Sequence, residues 1–284
     1  MESMAPPVEP PVDIAPLFAT ERARLLDLLG SVTDDGWQTP SPCPAWTVLG
    51  LCCHLVGDDL SLLAGHRDQH QGTPAPDGLS EAQFIDWLDQ LQIEWVRAAR
   101  RLSPRLVLDL LAWAGPQVVD ALEREDPRAR TAHVSWAGRD AVPVWLDQLR
   151  ELSEYWIHRQ QLLEALDQAS DLRADLLRPV LDGLRWAYPY RLAAAPARPG
   201  DSVSIEIVGP VAVTWYLVAT AGGWTFRPEA GDSRVASLSM TTEQAWRLLT
   251  NNLPADDQAR LQLTGDRAII DVLRRTRAII GSPD

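Results

Sequence analysis

The sequence predicts a helical bundle followed by a small α+β domain, and two observations carry that prediction. From Asp13 to about Trp186 apolar residues recur at helical spacing, whereas beyond Gly200 they alternate with polar residues at the period of a strand. Between the two lies Ala-Ala-Ala-Pro-Ala-Arg-Pro-Gly at 193–200, a composition that suits a linker. The expected organisation is a disordered, proline-rich tail over 1–15, a bundle over 16–195 and an α+β domain over 200–284.

The elements follow in order. Leu17, Leu25, Leu26 and Leu29 predict a first amphipathic helix, closed by the turn at Asp34-Asp35-Gly36. Thr47 is a good N-cap for a second helix reaching about Gly65. Ser80 with Gln83 reads as a capping box opening a third, which carries Phe84, Trp87, Leu88, Leu91 and Trp95. A variable stretch broken at Pro104, Pro116 and Pro127 comes next. Pro143 sits at the first turn of a long helix from Val144 to about Leu166, and one more helix covers Leu172 to Trp186. Beyond the linker, Val203-Ile205-Ile207 and Val211–Trp215 read as strands, Gly222-Gly223 as a hairpin turn and Leu238–Met240 as a further strand. Thr242 is expected to cap a helix with Trp246, Leu248 and Leu249, and Gly265-Asp266 to precede a terminal helix through Ile279.

Composition prunes the mechanisms. All 26 basic residues are arginine, so Schiff-base chemistry and a P-loop lysine are excluded. The net charge of −13 argues against nucleic acid or an anionic membrane as partner. No apolar run free of charges and prolines reaches membrane length, and the N-terminus lacks the pattern of a signal peptide. Three cysteines, two of them adjacent, do not make a disulfide framework, so a reducing cytoplasm is expected. Dinucleotide, serine-hydrolase and zinc-ribbon motifs are missing.

One constellation carries chemistry. Glu154 and His158 are four residues apart on one helix and share a face. His54 lies midway along the second helix, beside the apolar stripe of Val48, Leu51, Leu55 and Leu62, with Asp58 four residues on as a partner to orient its ring. Two histidines and a glutamate with an open position are a usual catalytic zinc set. Yet Trp145, Leu149, Leu152 and Trp156 define the apolar stripe of the later helix, and Glu154 and His158 fall nearly opposite it. Either they face water, or that helix is buried on two sides and this face lines a cavity. The pair His66 and His70 reads as a solvated helix end, and His133 as surface. Trp46, Trp113, Trp136 and Trp156 are candidates for an aromatic pocket. Arg159, next to His158, and Arg247, with Arg227 and Arg267, are candidates to bind a substrate carboxylate.

Ser41-Pro42-Cys43-Pro44-Ala45-Trp46-Thr47-Val48, followed by His54-Leu55-Val56-Gly57, resembles the N-terminal signature of the mycothiol-dependent maleylpyruvate isomerase family, within the DinB-like superfamily. That family also carries Glu-x-x-x-His on a later helix, matched by Glu154 and His158, and a sterol-carrier-like second domain, resembled by Thr264-Gly265-Asp266 and the helix after it. The resemblance implies a DinB-like four-helix bundle, a zinc ion on His54, Glu154 and His158, and mycothiol or a related thiol as cosubstrate. It implies isomerisation of a small substrate, or S-transfer if the thiol stays attached. Gly50, Arg159 and Gln161 depart from the family pattern, so an enzyme of specialised metabolism that dispenses with the thiol, or a non-catalytic metal-binding module, are the other expectations. Cys52 and Cys53 are expected to pack beside His54.

Overall fold

The computed structural model describes residues 6–278 except 45 and 71, without the side chains of Glu81 and Ala82. The start of the expected tail and the end of the expected last helix, Ile279, lie outside the described residues. By contact the chain forms two compact units: residues 13–126 with 154–171, and the remaining described residues.

The first unit is helical. It contains α1 (Ala15–Gly30), α2 (Val48–Leu62) with a π turn over Leu63–Arg67, α3 (Glu81–Ala99), α4 (Pro104–Glu123) and the second half of α5 (Val144–Ala165). Local signals set the boundaries. Thr47 caps α2 by accepting from the Gly50 N–H at 3.3 Å, and Ser80 with Gln83 forms the expected capping box of α3. The stretch expected to be broken at Pro104 and Pro116 is instead one helix, α4. Pro104 sits in the first turn, where its missing N–H is not needed, and Pro116 lies inside. Burial of Val107, Leu111, Ala114, Val118 and Leu122 along one stripe offsets the local cost of an internal proline, about 3 kcal/mol.

Val48–Arg67 is long and apolar enough to pass for a membrane span by composition alone, which the sequence reading did not anticipate. Its apolar residues supply the core of this unit: Val48, Leu51, Cys52, Cys53, Leu55 and Val56 are all buried. Three charges or potential charges, His54, Asp58 and Asp59, sit in its middle, and each is met by a polar partner within the unit.

A buried ionic network ties α1 to the other helices. The Arg159 guanidinium on α5 forks onto both oxygens of Glu21, at 2.6 and 2.8 Å, and reaches Asp171 at 2.9 Å. Next along α1, Arg22 pairs with Asp59 of α2 and lies 4.2 Å over the Tyr155 ring, while the Tyr155 hydroxyl donates to Asp59 at 2.6 Å. Glu21 and Asp59 are fully buried, so each depends on its arginine for a counter-charge.

The second unit holds the first half of α5, then α6 (Ala174–Leu184), α7 (Ala187–Leu192) and a five-stranded mixed sheet. Its strands are β1 (Asp201–Val208), β2 (Val213–Thr220), β3 (Gly223–Arg227), β4 (Ser233–Thr241) and β5 (Gln262–Gly265), in the order β3-β2-β1-β4-β5. Only β1 and β4 pair in parallel. Alternation decides the buried face: Val203, Ile205 and Ile207 stand beside Trp215, Leu217, Ala236, Leu238 and Met240, all buried. The α8 helix (Thr242–Leu249) is capped by Thr241, one residue before the Thr242 expected, with Gln244 completing a capping box. Short α9 (Ala255–Gln258) and β5 carried no clear signal. Asp266 caps α10 (Arg267–Arg275), which buries Ile269 and Leu273. Pro6–Ile14 has no helix or strand, but the Trp145 indole donates to the Pro7 carbonyl at 2.9 Å and Arg128 pairs with Glu9.

Candidate metal centre

Within the helical unit, α2 presents His54 and α5 presents Glu154 and His158. One ligand atom from each lies within 4.8 Å of the others. The two Nε2 atoms are 3.0 Å apart, and Glu154 Oε1 is 2.9 Å from His158 Nε2 and 3.5 Å from His54 Nε2. His54 and His158 are buried, whereas the Glu154 side chain is 28% exposed, which leaves the cluster open on the carboxylate side. The ambiguity in the helical phase is thereby resolved: α5 is buried on two sides, and the face opposite Trp145, Leu149, Leu152 and Trp156 carries the two candidate ligands Glu154 and His158.

The far nitrogens of both rings are held by amides. Gln92 Oε1 lies 3.0 Å from His54 Nδ1, and Gln161 Oε1 lies 2.7 Å from His158 Nδ1. Gln92 donates its Nε2 to Asp58 Oδ1 at 3.3 Å, so its oxygen is the end that faces His54. An amide oxygen only accepts, so each ring carries its proton on Nδ1 and turns the Nε2 lone pair inward. Two lone pairs and a carboxylate oxygen then converge on one point. Asp58 adds a further acceptor: its Oδ2 is 3.1 Å from His54 Nε2 and is a buried oxygen with no hydrogen bond among the described residues. Such a set of electron-pair donors could hold a cation between them, and its nitrogens and carboxylate suit zinc or another divalent ion.

In the metal-free chain a proton on His158 can supply that positive charge. Burial alone would raise the Glu154 carboxyl, but the charge and hydrogen bond of His158, then those of His54, outweigh it and hold it well below the usual range. Burial would lower His158, yet the Glu154 charge outweighs it and holds the imidazole well above its usual value. Burial raises Asp58, partly offset by His54.

Asp58 and Gln92 thus divide the role the sequence assigned to Asp58 alone. Asp58 meets the inward nitrogen, and Gln92 the outward one. Gln161 has a visible local signal, three residues after His158 on the same helix. Gln92 has none, because it reaches His54 across 38 positions. Trp46 stacks on the His54 ring with centroids 4.9 Å apart, and a Cβ at Gly50 would stand 3.1 Å from Trp46 Cβ. Cys43 Sγ donates to Gln161 at 3.2 Å, and Cys52 and Cys53 are buried on the His54 helix.

Other candidates lie elsewhere. Arg159 directs its guanidinium to Glu21 and Asp171 and not to the ligand cluster. Arg247 belongs to the other unit, where its Nε donates to Glu243 at 2.6 Å and its guanidinium lies 4.5 Å over the Trp246 ring. Trp113 is 53% exposed, while Trp156 is buried; Trp136 is buried in the other unit. His66 is not merely solvated: Nδ1 sits 2.5 Å from Glu125 Oε1. His133 is exposed as expected.

Comparison with known proteins adds the family. The fold matches two solved structures, of the mycothiol-dependent maleylpyruvate isomerase and of a histidine-to-alanine mutant of it. Identity is 14% in both, with TM-scores of 0.53 and 0.52. The alignments cover 89% and 87% of this chain and 93% and 91% of theirs. No curated protein matches in sequence. The model of the mycothiol maleylpyruvate isomerase N-terminal domain matches residues 18–163, a span that runs from within α1 through α4 and includes His54, Glu154 and His158. This chain belongs to the mycothiol maleylpyruvate isomerase N-terminal domain family.

Proposed function

We propose that this chain is a divalent-metal enzyme that uses mycothiol or a related low-molecular-weight thiol to isomerise a small organic substrate in the cytoplasm. The observation that carries the metal is the convergence of the His54 and His158 Nε2 lone pairs and the Glu154 carboxylate, each ring held from behind by a glutamine. The thiol and the reaction class are supported by the family and by the names of the two similar structures.

Zinc, when bound, would supply a Lewis acid that lowers the pKa of a coordinated thiol or water. The chain does the rest. His54, Glu154 and His158 leave one side of the cluster open, Gln92 and Gln161 hold the tautomers, and Trp46 walls the His54 side. Arg159 is committed to a buried ion pair, so in this reading it is structural. Arg247 is retained as a candidate for a substrate carboxylate.

The test is elemental analysis joined to an assay of maleylpyruvate isomerisation with and without mycothiol. About one equivalent of metal per chain is expected, with large losses in His54→Ala, Glu154→Ala and His158→Ala, because two remaining ligands make a poor site. Metal with no thiol dependence would favour a thiol-independent enzyme on the same scaffold. A product that retains the thiol by mass would make it an S-transferase. Full metal content in all three variants would remove the assignment.

A further inference from the structure

The Trp95 side chain on α3 packs against α2 at Gly57. A Cβ built on Gly57 would stand 2.5 Å from Trp95 Cδ1, far inside any contact a side chain can make. The indole N–H donates to the Cys53 carbonyl at 2.7 Å, the same oxygen that receives the Gly57 amide in a regular helix. The glycine is therefore a notch that lets an aromatic ring and a helix backbone approach at hydrogen-bonding distance.

Trp95 follows Gln92 by three residues, so both project from one face of α3. On α2, Cys53 and Gly57 flank His54 and share its side of the bundle. Seating Trp95 in the notch sets how closely, and in what register, α3 meets α2. That register brings Gln92 to 3.0 Å from His54 Nδ1 and 3.3 Å from Asp58. The rest of α3 supplies little other restraint. Val96 and Ala99 are its only buried residues among those described, while Phe84, Leu88 and Ile93 are 37–44% exposed.

We propose that Gly57 and Trp95 are positioning residues for His54: the notch docks α3 so that Gln92 fixes the His54 tautomer with Nε2 free for the metal. This rests on the metal reading above for its functional consequence, but its structural content concerns the metal-free chain as well.

The experiment compares wild type, Gly57→Ala, Trp95→Phe and the double variant Gly57→Ala/Trp95→Leu. Ser80→Ala, which removes the α3 capping box without touching the notch, is the stability control. Two quantities are read: the His54 Nδ1–H signal in metal-free protein by nitrogen-15 NMR, and zinc affinity by chelator competition. In Gly57→Ala the Nδ1–H signal should broaden or vanish and zinc should bind about 10–100-fold more weakly, the usual effect of losing such a partner. Trp95→Phe, which keeps a ring but loses the N–H, should shift both in the same direction by less. The double variant should recover part of the affinity, and Ser80→Ala should lower thermal stability while leaving both readings at wild-type values. An intact signal in Gly57→Ala with affinity within about twofold of wild type overturns the proposal. So does an equal change in Ser80→Ala, which would make the effect one of general loosening. If Gly57→Ala does not fold, Trp95→Phe decides alone by the same two readings. A wild type that shows the Nδ1–H signal but binds no zinc removes the metal reading and leaves the docking role standing.

Discussion

Replacing Arg159 with methionine should destabilise the protein severely, and the structure sets the scale. The guanidinium is 3% exposed and makes three charge-assisted hydrogen bonds, two to Glu21 and one to Asp171. Methionine fills most of the volume, so the cost comes chiefly from the fully buried Glu21 carboxylate left without a counter-charge. Breaking one side of a buried pair costs roughly 3–5 kcal/mol. That is a large fraction of the 5–15 kcal/mol by which a typical domain is stable, about. Replacing both partners with apolar residues removes the orphaned charge, so Glu21→Leu/Arg159→Met should recover most of the loss. Urea unfolding followed by tryptophan fluorescence, as a double-mutant cycle, measures both quantities. A loss below about 1 kcal/mol in the single variant, with a fall in kcat/KM and intact stability, would refute the reasoning. It would return Arg159 to substrate binding, the role its position beside His158 suggested.

Four further outcomes are expected. Zinc affinity should rise with pH, and go on rising above pH 6.5, because the raised His158 pKa makes the metal compete with a proton; chelator competition giving a flat profile would contradict this. In the metal-free protein the stability from raised His158 should be fully present below 6.5 and lost as pH climbs through its folded value. That from depressed Glu154 is present above 4.5 and lost as pH falls, so thermal melts should show the pair contributing most between these limits. Iodoacetamide at neutral pH should label Cys43 and spare Cys52 and Cys53, since burial pushes Cys53 up to about 11 and Cys52 higher still; peptide mapping that finds Cys53 modified in folded protein would speak against that burial. The proposed division into domains over 16–195 and 200–284 predicts first cleavage by subtilisin within the mostly exposed stretch 193–200, and early cuts elsewhere would count against it.

What the sequence determined by itself is what short-range physics determines. Thr47 and Ser80-Gln83 mark helix starts because capping involves groups three residues apart, and Glu154 with His158 share a face because helix geometry places them there. The change of period after Gly200 announced a sheet, for alternation needs no partner to be visible. Beyond that range the sequence was silent or pointed the wrong way. Pro116 signalled a break that burial of the α4 stripe overrode, and the spacing of Asp58 from His54 did not show which ring nitrogen it meets. Whether Glu154 and His158 faced water or a cavity depended on what packed against the second face of α5, which no local pattern records. Gln92 at His54 and Glu21 at Arg159 are contacts over 38 and 138 positions, closed only when helices dock. Helical spacing supplied the candidate ligands; the packing of α3 on α2 at Gly57 decided that Gln92 stands behind His54.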